Sequence, residues 1–167
     1  MRDADFLFVV AEVAVAFAGF ASIVAVLGQR TTRDNPRTDA FRLRGLLESS
    51  LVVVAFSLLP YVLGRVSSQE LSAWRLSSGL FAIAGAVSFL SILQRRRLVA
   101  DLPAPLALRI TIILLYLAPL PALLLISLGI VAEGSAGIYL LCLLSYLLAG
   151  GIAFFRVMAS FIAAVRE

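Results

Sequence analysis

The sequence contains no histidine and no lysine, and its single cysteine is Cys142. Without lysine the chain cannot form a Schiff base with a cofactor or substrate. Without histidine it has no histidine-ligated haem, no histidine metal site and no Ser-His or Cys-His dyad. A single cysteine cannot form an intrachain disulfide. Since phosphate-binding loops and lipidation motifs are also absent, we predict no cofactor, no metal site and no catalytic residues.

Charged residues are scarce as well: they make up 14% of the chain, whereas 62% of its residues are hydrophobic. Five apolar runs are each long enough to cross a hydrocarbon core of about 30 Å as a helix. They predict an all-α polytopic membrane protein, with five transmembrane helices forming one domain over residues 1–167. The predicted spans are Phe6–Leu27, Leu46–Gly64, Leu76–Leu93, Ile110–Ala132 and Ile138–Phe155.

The first span is expected to remain uncleaved. Residues 1–6 carry two acidic side chains beside one arginine, and the apolar run has about 22 residues, whereas that of a signal peptide has 7–15. The longest stretch outside the spans is the segment 28–45, which we expect to be a cytoplasmic loop.

All fourteen positive side chains are arginines, and most lie in alternate gaps between the spans. Because short cytoplasmic loops are enriched in arginine, this asymmetry predicts an outside N-terminus and a cytoplasmic C-terminus. We expect a bacterial cytoplasmic (inner) membrane, with the bilayer and its anionic headgroups, not nucleic acid, facing the arginines. The predicted cytoplasmic set is Arg30, Arg33, Arg37, Arg42, Arg44, Arg95, Arg96, Arg97, Arg109, Arg156 and Arg166, and the outer set is Arg2, Arg65 and Arg75.

Prolines mark several predicted helix boundaries. An asparagine before Pro36 indicates the cap and first turn of the second helix, which would begin well before its membrane part. The segment 133–137 is short enough for a tight turn, so the last two spans should form an antiparallel hairpin. Pro119 and Pro121 remove backbone donors near the middle of the fourth span and predict a kink. In transporters, such broken helices often line a binding site.

Small residues recur along faces of the first, third and fifth spans. Small side chains let transmembrane backbones approach closely, so these faces are expected to pack against other helices. Two interpretations are open: packing within the chain, and homo-oligomerisation through the first span. The candidate packing residues are Ala14, Ala18, Ala21, Ala25, Gly85, Gly150 and Gly151.

Glu12 is the main candidate for a functional residue within the membrane, where a charge costs several kcal/mol unless it is relieved. It lies about 9 Å inside the first span at about 1.5 Å per residue. Pro60 adds a free acceptor, because it cannot donate to the carbonyl of Phe56. A protonated Glu12 could donate to that carbonyl or to a serine, whereas an ionised one would need Arg65 or Arg75. The candidate polar site comprises Glu12, Ser57, Pro60, Ser127 and Ser145.

A second group of charged residues is expected at the cytoplasmic boundary. Glu48 lies just inside the second span, one turn after Arg44, so the two can form an i,i+4 pair. Arg156, near the inner end of the last span, can also approach Glu48. We expect an Arg44/Glu48/Arg156 cluster with either a structural role or a role in binding a headgroup or another anion.

These features favour two functions. The first is a non-catalytic membrane subunit or scaffold that packs against partner helices. The second is an oligomeric channel or transporter that passes an ion or small solute along Glu12 and the kinked fourth span. An enzyme is disfavoured, because hydrolysis within a membrane requires paired acids or a nucleophile with a base. The two acids inside the spans, Glu12 and Glu48, are predicted at opposite ends.

Overall fold

A computed structural model describes residues 4–28, 36–66, 70–98, 106–131 and 135–165. Over these ranges the chain is all-helical and contains no strand. The helices are α1 (Ala4–Gly28), α2 (Pro36–Val66), α3 (Glu70–Leu98), α4 (Leu106–Leu117), α5 (Pro119–Ser127) and α6 (Ser135–Val165).

Five helical stretches are long and apolar enough to cross a membrane, and each corresponds to one predicted span. Only 22% to 39% of the residues in these stretches are buried inside the bundle. Many of the others are valine, leucine, isoleucine and phenylalanine side chains on the outer surface. Since an apolar exterior suits lipid contact, the fold supports a multi-pass integral membrane protein. The stretches are Asp5–Ile23, Leu43–Val66, Ser72–Gln94, Ile110–Ser127 and Ser135–Arg156.

The start of the second helix at its proline is confirmed, whereas the kink predicted for the fourth span stays a prediction. Helix α2 begins at Pro36, and the fourth span is divided at Ala118 into α4 and α5. Ala118 keeps helical dihedral angles and donates to the carbonyl of Leu114 at 2.8 Å. Pro119 then has no N–H for the carbonyl of Leu115, so the α-helical hydrogen bonding is interrupted at this point.

Helix α2 is central to the bundle, because it packs against α1, α3 and α6. Helix α6 also contacts α1, α4 and α5, and α3 packs mainly on α2 and α5. Helices α2 and α4 begin at one end of the bundle, and α1, α3 and α6 terminate at that same end. We call it the arginine-rich end. Phe17 of α1, Leu46 of α2 and Phe154 of α6 belong to one apolar cluster near this end.

Candidate functional site

Glu12 lies on the outward face of α1. On the inward face, Leu7, Val10 and Ala14 belong to the main apolar core. The side chain of Glu12 is exposed, and so are residues Ala16 and Gly19, four and seven residues later. Because residues four and seven apart lie on the same side of a helix, these three form a continuous surface. We call it the Glu12 face.

The groups predicted as partners of Glu12 are engaged elsewhere. Arg65 donates to the hydroxyl of Tyr61 at 3.1 Å. Arg75 donates to the carbonyl of Gly129 at 3.4 Å. Gly129 has φ +74°, a left-handed conformation that favours glycine. Within the described residues, Glu12 therefore has neither of the arginines considered for it.

The carbonyl of Phe56, freed by Pro60, accepts a hydrogen bond from Tyr139. The hydroxyl of Tyr139 donates to it at 2.7 Å. Pro60 and Tyr139 are both buried, whereas Glu12 points outward. The free acceptor was predictable from the proline, but its donor comes from α6 instead of α1.

We expect Tyr139→Phe to lower the free energy of unfolding by about 1 kcal/mol, a typical value for one hydrogen bond between transmembrane helices. In a Pro60→Ala background the loss should be smaller, because residue 60 regains an N–H that can donate to the carbonyl of Phe56. Reversible unfolding of the four proteins of this cycle in mixed micelles measures both losses. Equal losses in the two backgrounds would show that the Tyr139 hydroxyl does not compensate for the proline.

The three serines of the candidate polar site have different surroundings. Ser57 is fully buried, and its hydroxyl has no partner among the described residues. Ser127 packs on α3, where a Cβ added to Gly79 would lie 2.8 Å from its Oγ. Ser145 donates to the carbonyl of Leu141 on its own helix at 2.9 Å. The structure therefore does not gather Glu12 and these serines around one buried centre.

Most of the small residues lie at contacts between helices within the chain. Ala14 and Ala21 are fully buried, and Ala18 is half-buried. A Cβ added to Gly150 would lie 2.8 Å from Oγ of Ser49, so α6 lies very close to α2 there. A Cβ added to Gly151 would lie 3.8 Å from the ring of Phe17.

The two remaining candidates are Gly85 and Ala25, and the prediction for Ala25 stays untested. Gly85 lies directly beneath the hydroxyl of Tyr146, and a Cβ there would also lie 3.1 Å from Leu120. The side chain of Ala25 is outside the described residues. The inward face of α1 is therefore used for packing within the chain, while the Glu12 face is left uncovered by the described bundle.

The proline break is closely packed against α6. Pro119 is buried, and the thiol of Cys142 lies 3.8 Å from its carbonyl oxygen in a weak hydrogen bond. Pro121 is exposed. The carbonyl of Pro119 thus faces a thiol, a contact that the lone cysteine did not suggest from sequence.

At the arginine-rich end, Arg44 and Glu48 form the expected pair. Nε of Arg44 lies 2.8 Å from Oε1 of Glu48, and the arginine side chain is 67% exposed. Such an exposed i,i+4 pair stabilises a helix only weakly, by about 0.3–0.5 kcal/mol. Arg156 is half-buried on α6. Its participation with Arg44 and Glu48 in one cluster stays a prediction.

Aromatic side chains form a continuous row through the bundle that the sequence analysis did not predict. Tyr139 contacts Trp74 at 5.5 Å and Phe81 at 5.6 Å between ring centroids. Phe81 contacts Tyr146 at 5.1 Å, and Tyr146 contacts Tyr116 at 4.9 Å. The seven-residue spacings of Trp74 with Phe81 and of Tyr139 with Tyr146 were the available signal, since such residues share a helix face.

Tyr116 and Tyr146 also line a small cavity toward the arginine-rich end, together with Glu48, Ser49 and Ser88. Among the described residues, no group of three or more cysteine, aspartate or glutamate side chains could hold a metal ion. Within the described residues, the exposed Glu12 face and this cavity are two polar features that lie inside the candidate membrane spans.

Comparisons with known protein families, with curated proteins and with solved structures found no match to this chain.

Proposed function

We propose that this protein is a non-catalytic subunit or scaffold of a membrane assembly, in which the Glu12 face packs against a transmembrane helix of a different protein. The observation that carries the proposal is the exposure of Glu12 beside Ala16 and Gly19 in the interior of a mostly apolar helix. An ionised carboxylate facing lipid costs about 2.5–3.5 kcal/mol at the centre of a membrane helix. A partner that supplies a donor relieves this cost.

The shape of the Glu12 face supports a helix as its occupant. A Cβ added to Gly19 would meet nothing within 4 Å, so the described bundle leaves this surface open. Glycine and alanine on one side of a transmembrane helix let a second backbone approach closely, and close approach strengthens van der Waals contact. Glu12 then lies at one end of the surface formed with Ala16 and Gly19, where its carboxylate can hydrogen-bond to the partner helix.

Charge favours a different protein over a second copy of this chain. Helix α1 contains two acidic residues, Asp5 and Glu12, and no basic residue. Two copies that meet through the Glu12 face would bring two carboxylates to the same depth, which is unfavourable unless a proton is shared. A helix that carries arginine, lysine or a side-chain amide at this depth complements the face directly.

The same proposal assigns the arginine-rich end to the cytoplasm of a bacterial cell, as the positive-inside rule favours. Arg44 and its neighbours would then face anionic headgroups. Glu12 lies toward the opposite end, so the partner must present its donor in the outer leaflet.

Photo-crosslinking in the native membrane tests the proposal. A photoreactive amino acid replaces Ala16, and a matched control replaces Leu148, which is 58% exposed on α6. We expect an adduct at residue 16 that maps to the outer-leaflet half of another protein's transmembrane segment, next to a basic or amide side chain.

Three results would contradict this expectation. Adducts only with lipid at both positions would remove the subunit function. An adduct with α1 of a second copy would replace it with a homo-oligomer, the arrangement that the channel interpretation needs. An adduct in the inner-leaflet half of a partner would overturn the assigned orientation.

A further inference from the structure

A small cavity lies between α2, α3, α4 and α6, on the side of the bundle toward the arginine-rich end. Five polar side chains line it: Glu48, Ser49, Ser88, Tyr116 and Tyr146. The space that the centre of a water molecule can occupy in this cavity is about 10 Å³. This is about the smallest volume that can hold one ordered water. The cavity is separate from the Glu12 face, which lies on the outside of α1.

The proline break explains why a cavity forms here. Helix α3 packs closely against α5, the half of the fourth span beyond the break, but it makes few contacts with α4. Since α3 packs against α5 but hardly against α4, a gap is left between α3 and α4. Because Gly85 of α3 has no side chain, the hydroxyl of Tyr146 can lie against α3. The tyrosine side chain thus lines the gap.

Tyr146 supplies the strongest chemical indication of a ligand. It is fully buried, and its hydroxyl has no hydrogen-bond partner among the described residues. A buried polar group without a partner is unfavourable, because it has lost its hydrogen bonds to water. Glu48 also lines the cavity, and its carboxylate accepts from Nε of Arg44 through Oε1 at 2.8 Å.

We propose that this cavity is a hydration site, in which a water molecule from the arginine-rich side hydrogen-bonds to Tyr146 and links it towards Glu48. Water fits because it both donates and accepts, as a phenol and a carboxylate together require. A metal cation fits less well, since Arg44 already neutralises the carboxylate. Tyr146 lies eleven residues after Ser135, where α6 begins, and therefore about 16 Å along the helix at about 1.5 Å per residue. The site therefore brings water close to the middle of the membrane.

The proposed water would extend the polar contacts of the exposed Arg44/Glu48 pair inward to Tyr146. Beyond Tyr146 the row of aromatic side chains continues with Phe81 and Tyr139. This hydration site does not depend on whether the Glu12 face binds a partner.

Radiolytic footprinting in H₂¹⁸O tests the site in the full-length protein in vesicles. Hydroxyl radicals form from water, so a buried tyrosine is modified only where water lies next to it. We expect ¹⁸O incorporation at Tyr146 several times faster than at Tyr139. Tyr139 is an internal control, because it is equally buried but its hydroxyl is bonded to the carbonyl of Phe56.

A substitution that fills the cavity gives the second arm. Ser88→Leu should lower the rate at Tyr146 to that of Tyr139, and Ser88→Val is the alternative if the larger side chain prevents folding. Equal rates at Tyr146 and Tyr139 in the wild-type protein would overturn the proposal. The proposal would also be overturned if ¹⁸O incorporation at Tyr146 stayed faster than at Tyr139 in a folded Ser88→Leu or Ser88→Val variant. A fall in the Tyr146 rate when sodium chloride replaces choline chloride would assign the site to a cation instead of water.

Discussion

Gly150→Leu is expected to lower the free energy of unfolding by about 1–3 kcal/mol, the range for overpacking a close contact. A Cβ at this position would lie 2.8 Å from Oγ of Ser49 and 3.4 Å from a methyl group of Leu46. Ser49 is buried and donates to the carbonyl of Leu46 at 2.9 Å, so it cannot move aside without losing this bond. The larger side chain must therefore push α6 away from α2.

Gly137→Leu is the matched control, because it makes the same change on the same helix where a Cβ would meet nothing within 4 Å. Reversible unfolding in mixed micelles measures both variants, and Gly150→Ala should lie between them. If Gly150→Leu and Gly137→Leu changed the free energy of unfolding equally, that result would contradict a close contact between α2 and α6 at Gly150.

The second large effect is expected at Gly19, on the Glu12 face. Gly19→Leu should reduce the yield of the photo-crosslinked adduct at residue 16 to the background seen with lipid. The leucine side chain projects from a surface that a second helix must approach closely. The stability of the bundle itself should change little, since no atom lies within 4 Å of the added Cβ.

Two controls separate loss of docking from loss of folding. Gly137→Leu should leave the adduct yield unchanged, because residue 137 belongs to α6 and not to the Glu12 face, and a Cβ there would meet nothing within 4 Å. Glu12→Gln should retain much of the yield through its amide, whereas Glu12→Leu should lose the hydrogen bond to the partner helix. A Gly19→Leu variant that forms the adduct as well as the wild type would show that the partner does not pack on this face.

Much of the fold was predictable because it depends on local properties of the chain. Apolar length located the five spans, and proline chemistry located the start of α2. The free carbonyl of Phe56 was likewise predictable from Pro60 alone. Each of these follows from a few neighbouring residues and the backbone hydrogen bonds they can make.

The candidate sites were less predictable, because they depend on which helices become neighbours. Tyr139 reaches the carbonyl of Phe56 only because α6 packs against α2, and depth along a span cannot reveal this. The same limit applies to the rotation of α1. Counting residues gave the depth of Glu12, but only the fold showed that its side chain is exposed while Ala14, two residues later, is buried.

Native mass spectrometry tests the proposed function most directly. It measures the mass of the particle that contains this chain when that particle is released directly from the native membrane. We expect one stable complex with a second polypeptide, and we expect Gly19→Leu to release this chain from it while the chain stays folded. A folded wild-type chain released alone, with no second polypeptide bound, would contradict the function proposed from the exposed Glu12.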